Sequence, residues 1–464
     1  MEALSCVRNC ETQYLYVEMH KSPLVVLLHF NCSIMHFRLF INKSWLLALL
    51  IIASCSKPVN EAEKPGGGQS SPRPVGSPVG NLYSQLVGPE GGTVTSEDGM
   101  VEIIIPAGAL SSTTEVGIQP LNNTAISGIG AGYRLTPHGQ VFNKPVTIRF
   151  KYSTHHSKLS NYEAVQIATQ EANGKWKCIG RVDNDTNSKK VSAEVDHFSD
   201  WALIASMELS PVTRTLGLGE SLTLHALRYV YPIKGDDWLA PLALPEAGVG
   251  EPLKIDPKYI VRWTLNGPGK LEGKGGDATY TAPSAVSGSN QAATVTLELK
   301  VGNKQVLLIS TIYLVVDGIN ISINGQPWHT YPAMASTMDD LPQFTIAGLR
   351  TTADLPQIVF LLPRTAGVKT DGTYNWSMQG DDATDVTFEY AEPDLKHIYV
   401  SVYDDGSETR DSEGFVQIEE TEQGGKKYVS GVFALDHAGK IETNTGTQIS
   451  IANIKGTFRV QRNW

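Results

Sequence analysis

Beyond about residue 80, apolar and polar residues alternate in short runs. Glu220-Ser221-Leu222-Thr223-Leu224-His225-Ala226 and Ala293-Thr294-Val295-Thr296-Leu297-Glu298-Leu299 put an apolar side chain at every second position. That is the period of a strand buried on one face. β-Branched residues recur between turn-forming residues, with 43 Gly and 25 Pro in 464 residues. Many short strands joined by tight turns are therefore predicted, in an all-β chain of three consecutive sandwich-like domains. The domains are expected at 82–206, 207–317 and 318–464.

In the first of these, Gly91-Gly92-Thr93-Val94 opens a strand after a turn, and Met100 to Ile105 forms the next. Pro106 ends that strand because proline cannot donate to a ladder. Tyr133 to Pro137 and Val141 to Phe150 read as two strands paired with each other, and Val195 to Ile204 as one alternating strand. In the second, Val261 to Leu265 reads as a central strand with Trp263 in the core, and 231–257, long and rich in Pro and Gly, as an inserted loop. In the third, Gly414 to Ile418 and Tyr428 to Leu435 read as consecutive antiparallel strands, with further strands at Gln357 to Leu362 and Ile454 to Val460.

The first eighty residues have a different character. From Met35, MHFRLFINKSWLLALLIIASCSKP sets Arg38 and Lys43 before an apolar run from Trp45 to Ala53. The run is too short to span a bilayer as a permanent helix. Ile52-Ala53-Ser54-Cys55 follows, an aliphatic residue and two small ones before a cysteine. The segment resembles the signal peptide and lipobox of bacterial lipoproteins. The resemblance implies cleavage before Cys55, thioether lipidation of that cysteine, and anchoring by two or three acyl chains such as palmitate, where one chain is marginal. Residues 35–54 are then the signal. Residues 1–34, with Glu2, Glu11, Glu18 and three cysteines, fit no signal peptide and read as lying upstream of a true start at Met35. Ser56 in place of an aspartate points to the outer membrane of a Gram-negative bacterium, facing the periplasm or the cell surface. Residues 55–81, centred on GGGQSSPRPVGSPVG, read as a lipidated, disordered tether.

The phrases GPEGGTVTSEDGMVEIIIPAGAL, YRLTPHGQVFNKPVTIRF and HFSDWAL span the first domain in order. Together they resemble the ZU-five domain, a β-sandwich of ankyrins, netrin receptors and tight-junction scaffolds. The resemblance implies protein binding without general catalysis. Residues 207–317 resemble a bacterial immunoglobulin-like domain without its cysteine pair, and 318–464 a C-terminal lipoprotein domain of unknown function.

Charge and cysteine content narrow the chemistry. A net charge of −10 with no basic stripe argues against nucleic acid. Cleavage before Cys55 would leave Cys178 as the single free thiol, so neither a disulfide nor a cysteine-rich metal site is expected. No GxSxG, HExxH, P-loop or dinucleotide fingerprint occurs, and no cofactor or metal is expected. One motif has chemical content, His197-Phe198-Ser199. Domains related to ZU-five cut themselves between Phe and Ser in such a motif. Here Ser199 would attack the Phe198 carbonyl with His197 as base or orienting group, the peptide C–N bond would break to give an ester that water hydrolyses, and the two halves would stay paired in one sheet. The competing reading is a closing strand in which Phe198 and Trp201 pack the sandwich. Asp404-Asp405-Gly406-Ser407-Glu408 and Asp183-Asn184-Asp185 carry calcium-compatible oxygens but lack the twelve-residue loop spacing, and read as acidic turns. His155-His156 reads as a solvated loop pair, and Trp238 and Trp328 as aromatics able to stack on a sugar or enter a core. The expected function is a non-enzymatic, membrane-anchored binding or scaffold module for a protein or glycan. The alternatives are a self-cleaving surface protein and a carbohydrate-binding accessory lipoprotein of a nutrient-uptake system.

Overall fold

Strand alternation becomes layered sheet packing, with one sheet running through two of the cores. The computed structural model describes residues 70–153, 159–180, 182–232, 246–286, 291–301, 304–337, 342–378 and 386–464. The upstream segment, the signal, Cys55, the first part of the tether, His155, His156 and Trp238 lie outside the described residues. Among the described residues there is no α-helix, only short 3-10 turns such as Tyr162–Ala164 and Pro257–Tyr259.

The first sheet runs in the order Tyr83–Val87, Thr114–Leu121, Gly128–Thr136, Asp200–Ala205, Val165–Gln170, Trp176–Ile179. The second runs Gly92–Thr95, Val101–Ile105, Val141–Lys151, Lys190–His197, Asp183–Asp185. Their facing sides enclose the first core, with Ile103, Ile118, Ile148, Phe150, Phe198 and Trp201 among its fully buried members. Two expected pairings change here. Gly128–Thr136 and Val141–Lys151 belong to opposite sheets, so Pro137 to Gln140 is a corner. Val195 to Ile204 is likewise two strands, Lys190–His197 in one sheet and Asp200–Ala205 in the other. A sandwich requires such crossovers, and alternation alone does not mark where a strand changes layer.

The first sheet does not stop at Trp176–Ile179. It continues through Glu246–Lys254, Ser221–Pro232, Asp277–Thr281 and Lys270–Lys274. Residues expected as an inserted loop thus include a nine-residue strand, Glu246–Lys254, that joins two cores edge to edge. The continuation faces a four-stranded sheet ordered Thr213–Gly217, Lys304–Val315, Ala292–Val301, Ile260–Asn266. Between them lie Leu224, Tyr280, Val295, Leu297 and Leu308. Trp263 departs from expectation in part: it packs against the second core only partly buried. Its strand is an edge, and the indole is half-buried against Gly273, with Nε1 donating to the Gly275 carbonyl at 3.1 Å.

Asp200–Ala205 is buried at every position. Trp201 and Leu203 face the first core. Ala202 and Ile204 face a smaller cluster with Ala168, Trp176, Cys178 and Val230 where the continuous sheet passes between cores. Burial there pushes the Cys178 thiol up to about 12, so it stays protonated and unreactive at neutral pH.

The third core is wrapped by one long sheet, ordered His329–Tyr331, Gly318–Ile323, Thr447–Gln461, Lys426–Glu442, His397–Val400, Thr387–Ala391, Gln357–Pro363, Gln343–Gly348, Ala333–Thr337. Glu413–Gln423 pairs antiparallel with Lys426–Glu442 over eleven positions, as the alternation predicts. A parallel bridge between Ala335 and Arg462 brings the far end back, so the sheet curls over its own core. Phe360, Phe388, Phe433 and Phe458 fill that core. Two glycines make room for them. Gly456 lies opposite Phe433 and Gly431 opposite Phe458, and a Cβ there would sit 2.1 Å and 2.3 Å from the respective ring atoms.

The end of the expected tether also differs. Residues 70–81 run along the first core. Arg73 N–H donates to the Gly174 carbonyl (2.8 Å), Asn122 N–H to Ser77 (2.7 Å) and Val79 N–H to Pro120 (3.1 Å). Its prolines suit an extended edge segment.

Candidate functional site

The His197-Phe198-Ser199 motif sits at the corner where the chain crosses between the two sheets of the first core. The register slips between Val195 and His197, ending one ladder, and Asp200 opens the next. Phe198 is fully buried, its ring edge-on to Phe142 at 4.7 Å. Its N–H donates to the Gln140 carbonyl (3.0 Å), and its carbonyl accepts from Gly139 N–H (2.9 Å). The Ser199 carbonyl accepts from Leu135 N–H (3.0 Å). The two corners of the sandwich, 137–140 and 198–199, therefore hold each other.

The polar side chains around this corner have separate partners. Ser199 is buried, and its hydroxyl donates to the Gln170 carbonyl at 3.2 Å. His197 is half-exposed; its Nδ1 lies 2.6 Å from Asp196 Oδ1, and its ring is tilted over Trp201 at 5.9 Å. The His197 hydrogen bond holds the Asp196 carboxyl below the usual carboxylate range. No residue from 196 to 200 has a positive φ. The structure brings His197 and Ser199 to one cleft of about 760 Å³ but directs their polar atoms to different neighbours. In this arrangement the Ser199 hydroxyl proton is directed to the Gln170 carbonyl and not to His197. A cut would leave the halves paired in one sheet, because Asp200–Ala205 lies between Gly128–Thr136 and Val165–Gln170, while Lys190–His197 stays in the other sheet.

Asp200, next in sequence, is the most constrained charge here. Its side chain is 7% exposed, and Arg134, directly opposite in the sheet, grips it with Nε at 2.8 Å and Nη2 at 2.7 Å. That bond raises the Arg134 guanidinium further above its ordinary range. His138 Nε2 stands 3.9 Å from the same carboxylate. The sequence reading missed this pair because partners 66 residues apart leave no local spacing to detect.

Purified full-length chain is expected to run as one band on a denaturing gel, unchanged by Ser199→Ala. Two fragments meeting at residue 198, lost in that variant, would reverse this expectation.

Of the two acidic segments, 404–408 behaves as a turn, whereas Asp183–Asp185 is a short edge strand leading into one, not the expected turn. The Asp405 carboxylate accepts from Ser407 N–H and Oγ and from Glu408 N–H, and Arg410 pairs with it at 2.6 Å. Asp185 accepts from Ser188 Oγ and from the backbone N–H groups of Asn187 and Ser188, and Asn184 bonds Tyr152 and Tyr162. Glu392, Asp394 and His397 cluster on another turn. Burial pushes the Glu392 carboxyl up, but hydrogen bonds from Lys440 and His397 outweigh it and leave the group below its ordinary range. Trp328 is half-buried in the connection after Gly318–Ile323.

A second recess lies where the three cores meet, and nothing in the sequence singled it out. Its floor is the outward face of Lys304–Val315, and Phe415 and Gln417 of the third core form one wall. Polar latches hold the junction. The Arg214 guanidinium and Glu419 pair directly, and the same carboxylate accepts from Thr215 N–H (2.9 Å) and Oγ1 (2.7 Å). Arg459 reaches Asp317 (2.7 Å), Glu220 (2.9 Å) and Gln423.

Compared with known proteins, the chain matches no family model and no curated protein.

Proposed function

We propose that this chain is a lipid-anchored protein of a Gram-negative outer membrane that acts as a non-enzymatic binding scaffold. Its first core is read as a ZU-five-like module, its second as immunoglobulin-like, and Cys55 as the lipidated residue. The observation that carries the scaffold reading is the joining of the cores. One sheet passes from the first to the second, and the Arg214 and Arg459 latches bind the second to the third. Domains meant to move independently are joined by flexible linkers with few crossing contacts. Here the crossing contacts are ladder hydrogen bonds and charged pairs, which suit a body that presents fixed surfaces to a partner. The self-cleaving alternative finds less support, because the Ser199 hydroxyl and His197 Nδ1 are engaged with Gln170 and Asp196.

The anchor is tested by metabolic labelling with a palmitate analogue. Wild-type chain is expected to carry label and pellet with membranes; Cys55→Ser is expected to lose the label and become soluble. Equal labelling of the two would refute the anchor. Chemical crosslinking in intact cells then reports whether the anchored body holds a stable protein neighbour.

A further inference from the structure

We infer that the recess at the meeting of the three cores is a binding site for a neutral oligosaccharide. The inference rests on the scaffold reading and gives it a ligand class. The recess holds about 600 Å³, within the roughly 300–1,000 Å³ common for small-ligand sites, and it lies between domains, where such sites concentrate.

Its floor is built by strand alternation. Gln305, Leu307, Ile309 and Tyr313 all point outward from Lys304–Val315. Leu307 and Ile309 remain 43% and 40% exposed, although residues of this size are normally covered in a packed sandwich. Phe415 adds an aromatic ring and Gln417 an amide.

Three observations select the ligand class. First, among the described lining residues there is no Lys, Arg or His and one carboxylate, that of Glu163. A phosphate or a carboxylate would find no counter-charge among these residues worth the loss of its water, and a cation would find Glu163 alone. Second, the floor strand has little free backbone edge to offer a peptide. One side pairs with Ala292–Val301 from residue 304 to 313, and the other pairs with Thr213–Gly217 from residue 311 to 315. Between these, Ser160 and Asn161 occupy the Ile309 N–H and the Ile309 and Leu307 carbonyls. The stretch left between residues 305 and 307 is too short for the ladder that strand addition needs. Third, Gln417 Oε1 is buried with no donor. A buried acceptor of this kind requires a partner, and a turn of the Gln417 amide toward the recess lets a ligand hydroxyl supply one. Apolar and aromatic surface with neutral amides beside it matches a pyranose, which has an apolar C–H face and a rim of hydroxyls.

The test is calorimetric titration of the full chain in detergent with maltotriose, cellotriose, mannotriose and chitotriose, and with trigalacturonate as the acidic comparison. At least one neutral trisaccharide is expected to bind and trigalacturonate to fail. Gln305→Ala, at an exposed position, and Gln417→Leu, which removes the unpartnered acceptor, are each expected to weaken binding about tenfold, the worth of a ligand hydrogen bond. Gln417→Leu is also expected to leave the unfolding temperature unchanged or higher, which separates a lost contact from a lost fold. Absence of binding by every neutral sugar, preference for the acidic one, or affinity unchanged in both variants would overturn the inference. A crosslinked protein partner found with any of these results would leave the scaffold reading standing; an unlabelled wild-type chain would count against the anchor alone.

Discussion

Replacing Phe360 with alanine is expected to destabilise the third core by about 3–5 kcal/mol. The ring is fully buried. It meets Phe388 and Phe433 at 4.9 Å in edge-on contacts, and Phe458 and Trp376 lie at 5.6 and 6.4 Å. Its neighbours cannot collapse into the vacancy, because Phe433 and Phe458 are seated over Gly456 and Gly431 on strands paired across thirteen positions. The cost therefore combines lost transfer energy with a cavity that persists. Denaturant unfolding followed by tryptophan fluorescence is a direct measure, since Trp376 belongs to the same core. Ile449→Ala is the control, at a position 51% exposed where a change within about 0.5 kcal/mol is expected. Similar losses in the two variants would mean that the aromatic cluster does not carry this core.

Arg459→Ala should cost about 2–3 kcal/mol and separate the unfolding of the third core from that of the second. The side chain is 12% exposed, reaches Glu220 and Asp317 outside its own core, and lies over the Tyr428 ring at 4.1 Å. Removing Arg459 leaves the partly buried Glu220, 22% exposed, without its partner, which is why the loss exceeds that of a surface bridge. Asp317 is 74% exposed and regains water, so the figure sits below the full buried-pair range. Arg459→Lys should restore little, because a single ammonium cannot divide itself among three acceptors and stack on a ring. A calorimetric trace with the same single transition in wild type and Arg459→Ala would show that the latch is dispensable.

Both expectations depend on features that the sequence discloses unequally. The strand Gln357–Pro363 alternates between buried and open positions along its length, and Lys190–His197 does so until its bulge. Those strands were legible because each has one dry face. Asp200–Ala205 reads from the sequence as the end of one alternating strand from Val195, yet it is buried on both faces where the sheet serves two clusters. Trp263 misled for a related reason. An aromatic in a strand signals packing, yet its strand is an edge, and the ring rests on a glycine at the rim. Of the candidate site, the motif residues His197, Phe198 and Ser199 could be named in advance. Their corner, the Arg134–Asp200 pair and the recess at the junction could not, because each joins residues dozens to hundreds of positions apart.

By itself the sequence determined that this chain is all-β. The pleat turns successive side chains to opposite faces, so the period of two is a local property that survives in a linear string. The tertiary structure alone decided which strands share a sheet, that Glu246–Lys254 is a strand joining two cores, that residues 70–81 are docked along the first core, and that Arg459 ties the second core to the third. Those outcomes depend on which distant faces bury each other best. That is a comparison among whole arrangements of the chain, and no local pattern encodes it.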